Sequence, residues 1–218
     1  MPRRRFGAAS KGRHTLARRI PPLDHQIPPT QLHPTGPESD SGDLWVFGYG
    51  SLMWRPGFDF EEQAPARLIG EHRALCVYSF VHRGTPERPG LVLGLDRGGA
   101  CRGVAFRVAE TNRAATVAYL REREQVTSVY REVMRSVWLQ DDARRRVAAL
   151  VYVVDRGHGQ YAGRLSPAEQ LRLVRQGHGV SGPNRDYVLS TVQALEAQGF
   201  RDPNLHRLAA QLHNEPSQ

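Results

Sequence analysis

Two short blocks of this sequence have the residue types and spacing for acid–base or acyl-transfer chemistry. The first is Gly48-Tyr49-Gly50-Ser51-Leu52, in which two glycines flank a tyrosine directly after an apolar run. Glycine lets the backbone turn tightly and approach a ligand with no Cβ in the way. Successive N–H groups in such a turn form a concave anion-binding nest. That suits a substrate carboxylate, or an oxygen that gains negative charge during acyl transfer. An ordinary tight turn fits the same residues. A dinucleotide-binding loop does not: the third glycine of Gly-x-Gly-x-x-Gly falls on Met53, and Pro56-Gly57 breaks the helix that should follow. Gly179-Val180-Ser181-Gly182 does not complete a nucleophile elbow, because Pro183 stands where glycine is needed. Ser181 reads instead as part of a turn before a helix.

The second block is Glu122-Arg123-Glu124, near the end of a predicted helix over 111–125 capped by Thr111 or Asn112. Two glutamates two residues apart cannot share a helical face. Glu124 lies four residues after Leu120 and seven after Val117, so it falls on the apolar side, while Glu122 falls on a polar one. A carboxylate among apolar neighbours has its charged form disfavoured, which raises its pKa toward the range a proton shuttle needs. The alternative from periodicity is that Glu124 ends the helix and pairs with one of the many nearby arginines.

The surrounding elements must position these blocks. Leu44–Tyr49 reads as a buried strand, and Arg73–Val81, Gly90–Leu95 and Arg102–Val108 as further strands separated by Gly/Pro punctuation. Tyr130–Leu139 and Val147–Val154 return to strand chemistry. Ser166-Pro167-Ala168-Glu169 matches a capping box with proline at the first helical position, and Gly177 is the natural stop. Asn184–Gln198 and Pro203–Leu212 are predicted as the last two helices. Strands fill the first two-thirds and helices the last third, so the class is α+β.

The net charge of +8 points to nucleic acid only until it is located. Residues 1–23 hold seven basic side chains (Arg3, Arg4, Arg5, Lys11, Arg13, Arg18 and Arg19) and no acid. The rest carries 30 − 7 = 23 basic against 22 acidic side chains, a net of +1. No nucleic-acid partner is required for the body of the chain. Six of the eighteen residues from Ile20 to Pro37 are proline, so residues 1–43 read as a disordered tail ahead of a domain over 44–218. No apolar run approaches the roughly 20 residues that span a bilayer, and no membrane partner is expected. Cys76 and Cys101 form no Cys-x-x-Cys pair, and neither a zinc nor a thioredoxin-type site is supported. They read as buried, reduced thiols, in keeping with a cytoplasmic protein. The sequence sets no oligomeric state.

Four blocks together carry a resemblance. They are Trp45-Val-Phe-Gly-Tyr-Gly-Ser-Leu-Met-Trp-Arg-Pro-Gly57, His82-Arg83-Gly84, Tyr119-Leu120-x-x-Arg123-Glu124 and Ser181-Gly182-x-Asn184-x-x-Tyr187. Their order and spacing resemble the ChaC-type glutathione-specific γ-glutamylcyclotransferases across roughly residues 44–212. Ser128-Val129-Tyr130 stands where the family has Gly-Gly-Tyr, and Pro89-Gly90-Leu91-Val92 where it has Pro-Gly-Arg-Val.

The resemblance implies a small mixed β-barrel with helices packed around it. It implies that Val46, Phe47, Gly48, Tyr49, Gly50 and Ser51, with Leu52 beside them, bind the γ-glutamyl end of glutathione, and that Glu124 is the catalytic acid/base. Tyr130 is expected as a hydrogen-bond partner near the site. Arg83 either pairs with a substrate carboxylate or belongs to a structural ion pair. The implied reaction closes the γ-glutamyl unit on itself and needs neither metal nor cofactor. Two alternatives remain: the same ring closure on other γ-glutamyl peptides or amines, and a silent domain that only binds γ-glutamyl ligands.

Overall fold

The computed structural model describes residues 42–124 and 128–213, apart from the side chain of Glu124. Five strands close a barrel in the order β1-β3-β2-β4-β5. These are β1 (Leu44–Gly48), β2 (Glu62–Ser79), β3 (Gly90–Val108), β4 (Tyr130–Leu139) and β5 (Arg146–Val154). All pairings are antiparallel except β1 with β5, where Trp45 and Val46 pair in parallel with Ala149 and Leu150. The α+β class and the small mixed barrel are both borne out. Most of residues 1–43, the expected tail, lies outside the described residues. Asp43, at its end, pairs with Arg107 at 2.6 Å and accepts a bond from the Glu110 amide.

β1 is buried along its whole length because it has neighbours on both edges and apolar layers on both faces. Trp45 and Phe47 enter one core shared with α2 (Pro167–Gln176), α3 (Asn184–Ala197) and α4 (Pro203–His213). Leu44 and Val46 enter a second core beneath α1 (Glu110–Glu124). The period-2 alternation of a strand thus divides β1 between two helical layers.

Two strands are longer than the sequence pattern suggests. β2 begins at Glu62 rather than Arg73, because Ala64, Ala66 and Leu68 alternate inward past Pro65. β3 runs unbroken through Gly98 and Gly99, where punctuation predicts a gap. Those glycines and Gly70 opposite adopt positive φ, and the register shifts between Ile69 and Glu71, so the hairpin bends without ending. The predicted capping box is present: Ser166 Oγ accepts from the Glu169 amide, and the Glu169 carboxylate accepts from the Ser166 amide.

Candidate active site

The chain leaves β1 at Gly48 and turns through a single 3-10 turn, Ser51–Met53. Gly48 is needed there: a Cβ would sit 3.0 Å from that of Leu52. Met53 N–H donates to the Gly50 carbonyl and Arg55 N–H to that of Ser51, which close the turn. Among the described residues, neither the Gly50 nor the Ser51 amide donates to a backbone or side-chain acceptor. Gly50 is buried, and a buried unpaired amide is rare in folded proteins. Val46 and Phe47 are 0% and 1% exposed, so their side chains belong to the core and anchor the loop from below.

Helix α1 reaches this loop with its last turn. Thr116 and Leu120 are buried and Glu122 is exposed, so the helical face is the expected one, and position 124 continues the row of 116 and 120. The Glu124 carboxylate itself lies outside the described residues. Its two flanks are fixed. Arg123 donates through Nη1 to the Arg55 carbonyl (2.6 Å), the Pro56 carbonyl (3.3 Å) and Tyr119 Oη (2.9 Å), and through Nη2 to Ser51 Oγ (2.9 Å). Arg121 grips Glu132 of β4 with two 2.8 Å bonds, and Tyr152 Oη adds a bond to the same carboxylate. Bidentate guanidinium–carboxylate pairs give geometric specificity as well as energy. The end of α1 is therefore held between the loop after β1 and strand β4. Arg123 thus ties the last turn of α1 to the loop; the sequence names it only as part of a motif, and its signal is the i, i+4 spacing from Tyr119.

Tyr130 stands at the start of β4 and donates to the Leu93 carbonyl at 2.7 Å. The Leu93 amide donates to Tyr187 Oη at 3.1 Å, and the Leu93 side chain abuts Gly50. Tyr130 is thus brought to the same end of the barrel as the loop. Just before it, Ser128 has φ +56°, the left-handed region that favours glycine and where the resembling family carries one. Beneath the loop, the buried Arg73 holds the Tyr49 carbonyl with Nε (2.6 Å) and the Arg102 carbonyl with Nη2 (2.6 Å), and faces Asp202 at 3.6 Å. Nothing in the local sequence around Arg73 signals this role, because its partners lie far along the chain.

Arg83 has no carboxylate partner among the described residues, so the alternative of a structural ion pair is not what the fold forms. Its guanidinium donates to the Ser181 carbonyl (2.5 Å) and the Pro183 carbonyl (3.3 Å) and lies 5.5 Å from the Tyr187 ring centre. The segment 81–84 packs against the β6–β7 hairpin (His178–Gly179 and Gly182–Pro183), with Val180 and Ser181 amides bonded to the Val81 and His82 carbonyls. A Cβ at Gly90 would overlap the Arg83 carbonyl, and one at Gly84 would overlap the Gly90 amide. The buried Asn184 side chain then pairs both backbone groups of Leu91, at 2.6 and 2.7 Å. His82-Arg83-Gly84 and Ser181-Gly182-x-Asn184 are one fastening between β3 and α3. Leu91 is 0% exposed within the core.

Cys76 and Cys101 are buried and unpaired, and burial pushes their thiols up to about 12 and about 11. A thiol so shifted is almost wholly protonated near neutral pH and is a poor nucleophile. Among the described residues no three of His, Cys, Asp or Glu gather as a metal-binding group. No helix among them is long and apolar enough to cross a membrane.

The barrel and its loop–helix end define a class. A γ-glutamyl cyclotransferase specific to glutathione from yeast has the same fold, with a TM-score of 0.72 over 79% of this chain and 96% of that one, at 22% identity. The ChaC-like protein family matches residues 44–215, and the chain belongs to that family. It is 36% identical over 169 residues to the glutathione-specific gamma-glutamylcyclotransferase of Escherichia coli K12, covering 78% of this chain and 72% of that one. It is 30% identical over 200 residues to the human glutathione-specific gamma-glutamylcyclotransferase 1, covering 89% and 88%.

Proposed function

We propose that this chain is a γ-glutamylcyclotransferase that cleaves glutathione to 5-oxoproline and cysteinylglycine. Membership of the ChaC-like family supports the reaction class. The observation that carries the residue assignment is the Arg123 clamp, which ties the end of α1 to Ser51, Arg55 and Pro56. This supports the assignment of Glu124 as the acid/base, at the end of a helix tied to a loop whose Gly50 and Ser51 amides have no acceptor among the described residues.

The substrate supplies its own nucleophile. Glu124 takes a proton from the α-ammonium group, and the freed amine attacks the γ-carbonyl carbon of the same residue. A five-membered ring closes and the carbonyl oxygen becomes an oxyanion, which the Gly50 and Ser51 amides stabilise. As the C–N bond to cysteine breaks, Glu124 returns the proton to the leaving nitrogen. It then takes the second proton from the ring nitrogen, leaving the neutral lactam, and passes it to the freed amine, which departs as an ammonium. No water is consumed. Intramolecular attack gains up to ~7–11 kcal/mol when the reacting groups are held in line. Gly48, Tyr49 and Leu52 complete the γ-glutamyl site, and Val46 and Phe47 support it from the core. Tyr130 braces the wall through Leu93, and Arg83 acts through the fastening that holds Leu91. We assign the reaction to residues 44–218, in the cytoplasm, with no nucleic-acid partner.

The test is to incubate the purified full chain with glutathione and quantify products. Equal amounts of 5-oxoproline and cysteinylglycine, with no free glutamate, are expected; glutamate in place of 5-oxoproline would mean hydrolysis and sink the mechanism. Glutathione should be preferred over γ-glutamylcysteine by roughly five- to 150-fold in kcat/KM, because the shorter substrate leaves donors for the terminal carboxylate unpaired. Equal values would leave the ring closure standing but make the enzyme a general γ-glutamyl cyclotransferase.

A further inference from the structure

Behind the loop, on the far side of Arg73, lies a cavity of about 520 Å³ whose charge is strongly one-sided. Arg67, Arg73, Arg102 and Arg201 line it with His72, and Asp202 is the one carboxylate among the lining residues. With histidine neutral, the balance is 4 − 1 = +3. The chain beyond its first 23 residues carries only +1 in all, so this charge is concentrated rather than average.

Asp202 does little to offset it. One carboxylate oxygen faces Arg73, and the other accepts from the Asn204 and Leu205 amides to cap α4. Arg67, Arg102 and Arg201 have no carboxylate partner among the described residues. Arg67 and Arg102 are moreover direct cross-strand partners in the β2–β3 ladder. Like charges directly opposite destabilise a sheet. Arg102 also lies 5.9 Å from the Phe200 ring centre, which holds it at the rim. Three exposed guanidinium groups on one concave surface, none with a carboxylate partner among the described residues, offer the paired N–H donors by which arginine binds a multiply charged oxyanion.

We propose that this cavity binds a small phosphate-type polyanion, such as pyrophosphate or the phosphates of a nucleotide, and that occupancy is communicated to the active-site loop through Arg73. Arg73 is the shared element: it lines the cavity and holds the Tyr49 carbonyl at 2.6 Å. An anion drawing its guanidinium outward alters the support of the loop. Binding stands apart from the proposed activity; the communication rests on it.

Calorimetry of the full chain with pyrophosphate at 0.15 M salt tests the binding. One saturable site with a Kd below about 1 mM is expected, weakened at least tenfold by Arg67→Ala/Arg201→Ala, whose residues lie outside the catalytic loop. Arg3→Gln/Arg4→Gln/Arg5→Gln should leave it unchanged within twofold. Absence of saturation, full binding by the cavity variant, or loss in the tail variant would each overturn the site. ADP run in parallel assigns the source: tighter binding than pyrophosphate makes it a nucleotide site, and equal binding a site for phosphate groups alone. For the communication, saturating pyrophosphate should change the KM for glutathione at least twofold in the parent and not in Arg67→Ala/Arg201→Ala. Competitive inhibition that persists in that variant would put the anion in the active site and reject the proposal.

Discussion

Two regions of this molecule gather polar groups from distant parts of the chain, and they dispose of them in opposite ways. In the fastening between residues 81–91 and 177–184, the donors and acceptors face one another: Arg83 on two carbonyls, Asn184 on both backbone groups of Leu91, His82 on Ser181 at 3.0 Å. Glycines bring the backbones too close for anything else to enter. At the loop–helix end, Arg123 and Arg73 saturate the carbonyls around the loop, while the Gly50 and Ser51 amides are left without acceptors among the described residues. The motif blocks look equally chemical in sequence. What separates a site from a fastening is whether donors remain to be used.

That contrast can be broken by substitution. The largest effect expected is from Glu124→Gln, which should lose at least ~10²-fold in turnover while folding normally, the low end for removing an acid–base group. Glu122→Gln, on the exposed face, should stay within a few-fold. Near-normal turnover by Glu124→Gln would dissolve the distinction between the two ends.

Arg123→Met should lower kcat/KM by roughly ten- to a hundredfold, since misplacement of about 1 Å carries that order of cost. Circular dichroism should remain that of the parent. If activity persists, the loop is held by other means and the clamp is dispensable.

In the fastening the reverse pattern is expected. Gly90→Ala, whose added Cβ overlaps the Arg83 carbonyl, should cost ~1–3 kcal/mol in urea unfolding. Activity per folded molecule should change by no more than a few-fold. A variant of parental stability with lost turnover would move this region into the site.

The smallest effect is at Ser128. Ser128→Gly relieves a left-handed residue worth ~1–2 kcal/mol, offset by ~0.4–1 kcal/mol of extra freedom in the unfolded chain. A net gain of roughly 0.5–1 kcal/mol in stability is expected from chemical denaturation. A loss would mean that the serine side chain has a role of its own.

The parts legible in sequence were those with a local cause. β1 shows as an aromatic-apolar run, α2 by its capping box, and the face of α1 by the spacing of Val117 and Leu120, both of which pack in the core beneath it. The first half of β2 was missed because Ala64 and Ala66 carry little apolar signal and Pro65 interrupts them. The unity of β3 was missed because Gly98-Gly99 serves a bend as readily as a break. In the site, the loop was visible but its supports were not. Arg73 reads locally as one more strand residue; its meaning comes from Tyr49, Arg102 and Asp202, which only the closed barrel assembles.

The parallel pairing of β1 with β5 has a consequence for synthesis. Hairpins β2–β3 and β4–β5 join neighbours in sequence, but Trp45 and Val46 find Ala149 and Leu150 only after the intervening chain has been made. Asp202 reaches Arg73 later still. Contacts of such long sequence separation form slowly, because loop-closure entropy precedes their reward. On a ribosome the Gly48–Leu52 loop emerges early but is seated last. The support of the Tyr49 carbonyl by Arg73 is thus completed only once the chain out to Asp202 has been made.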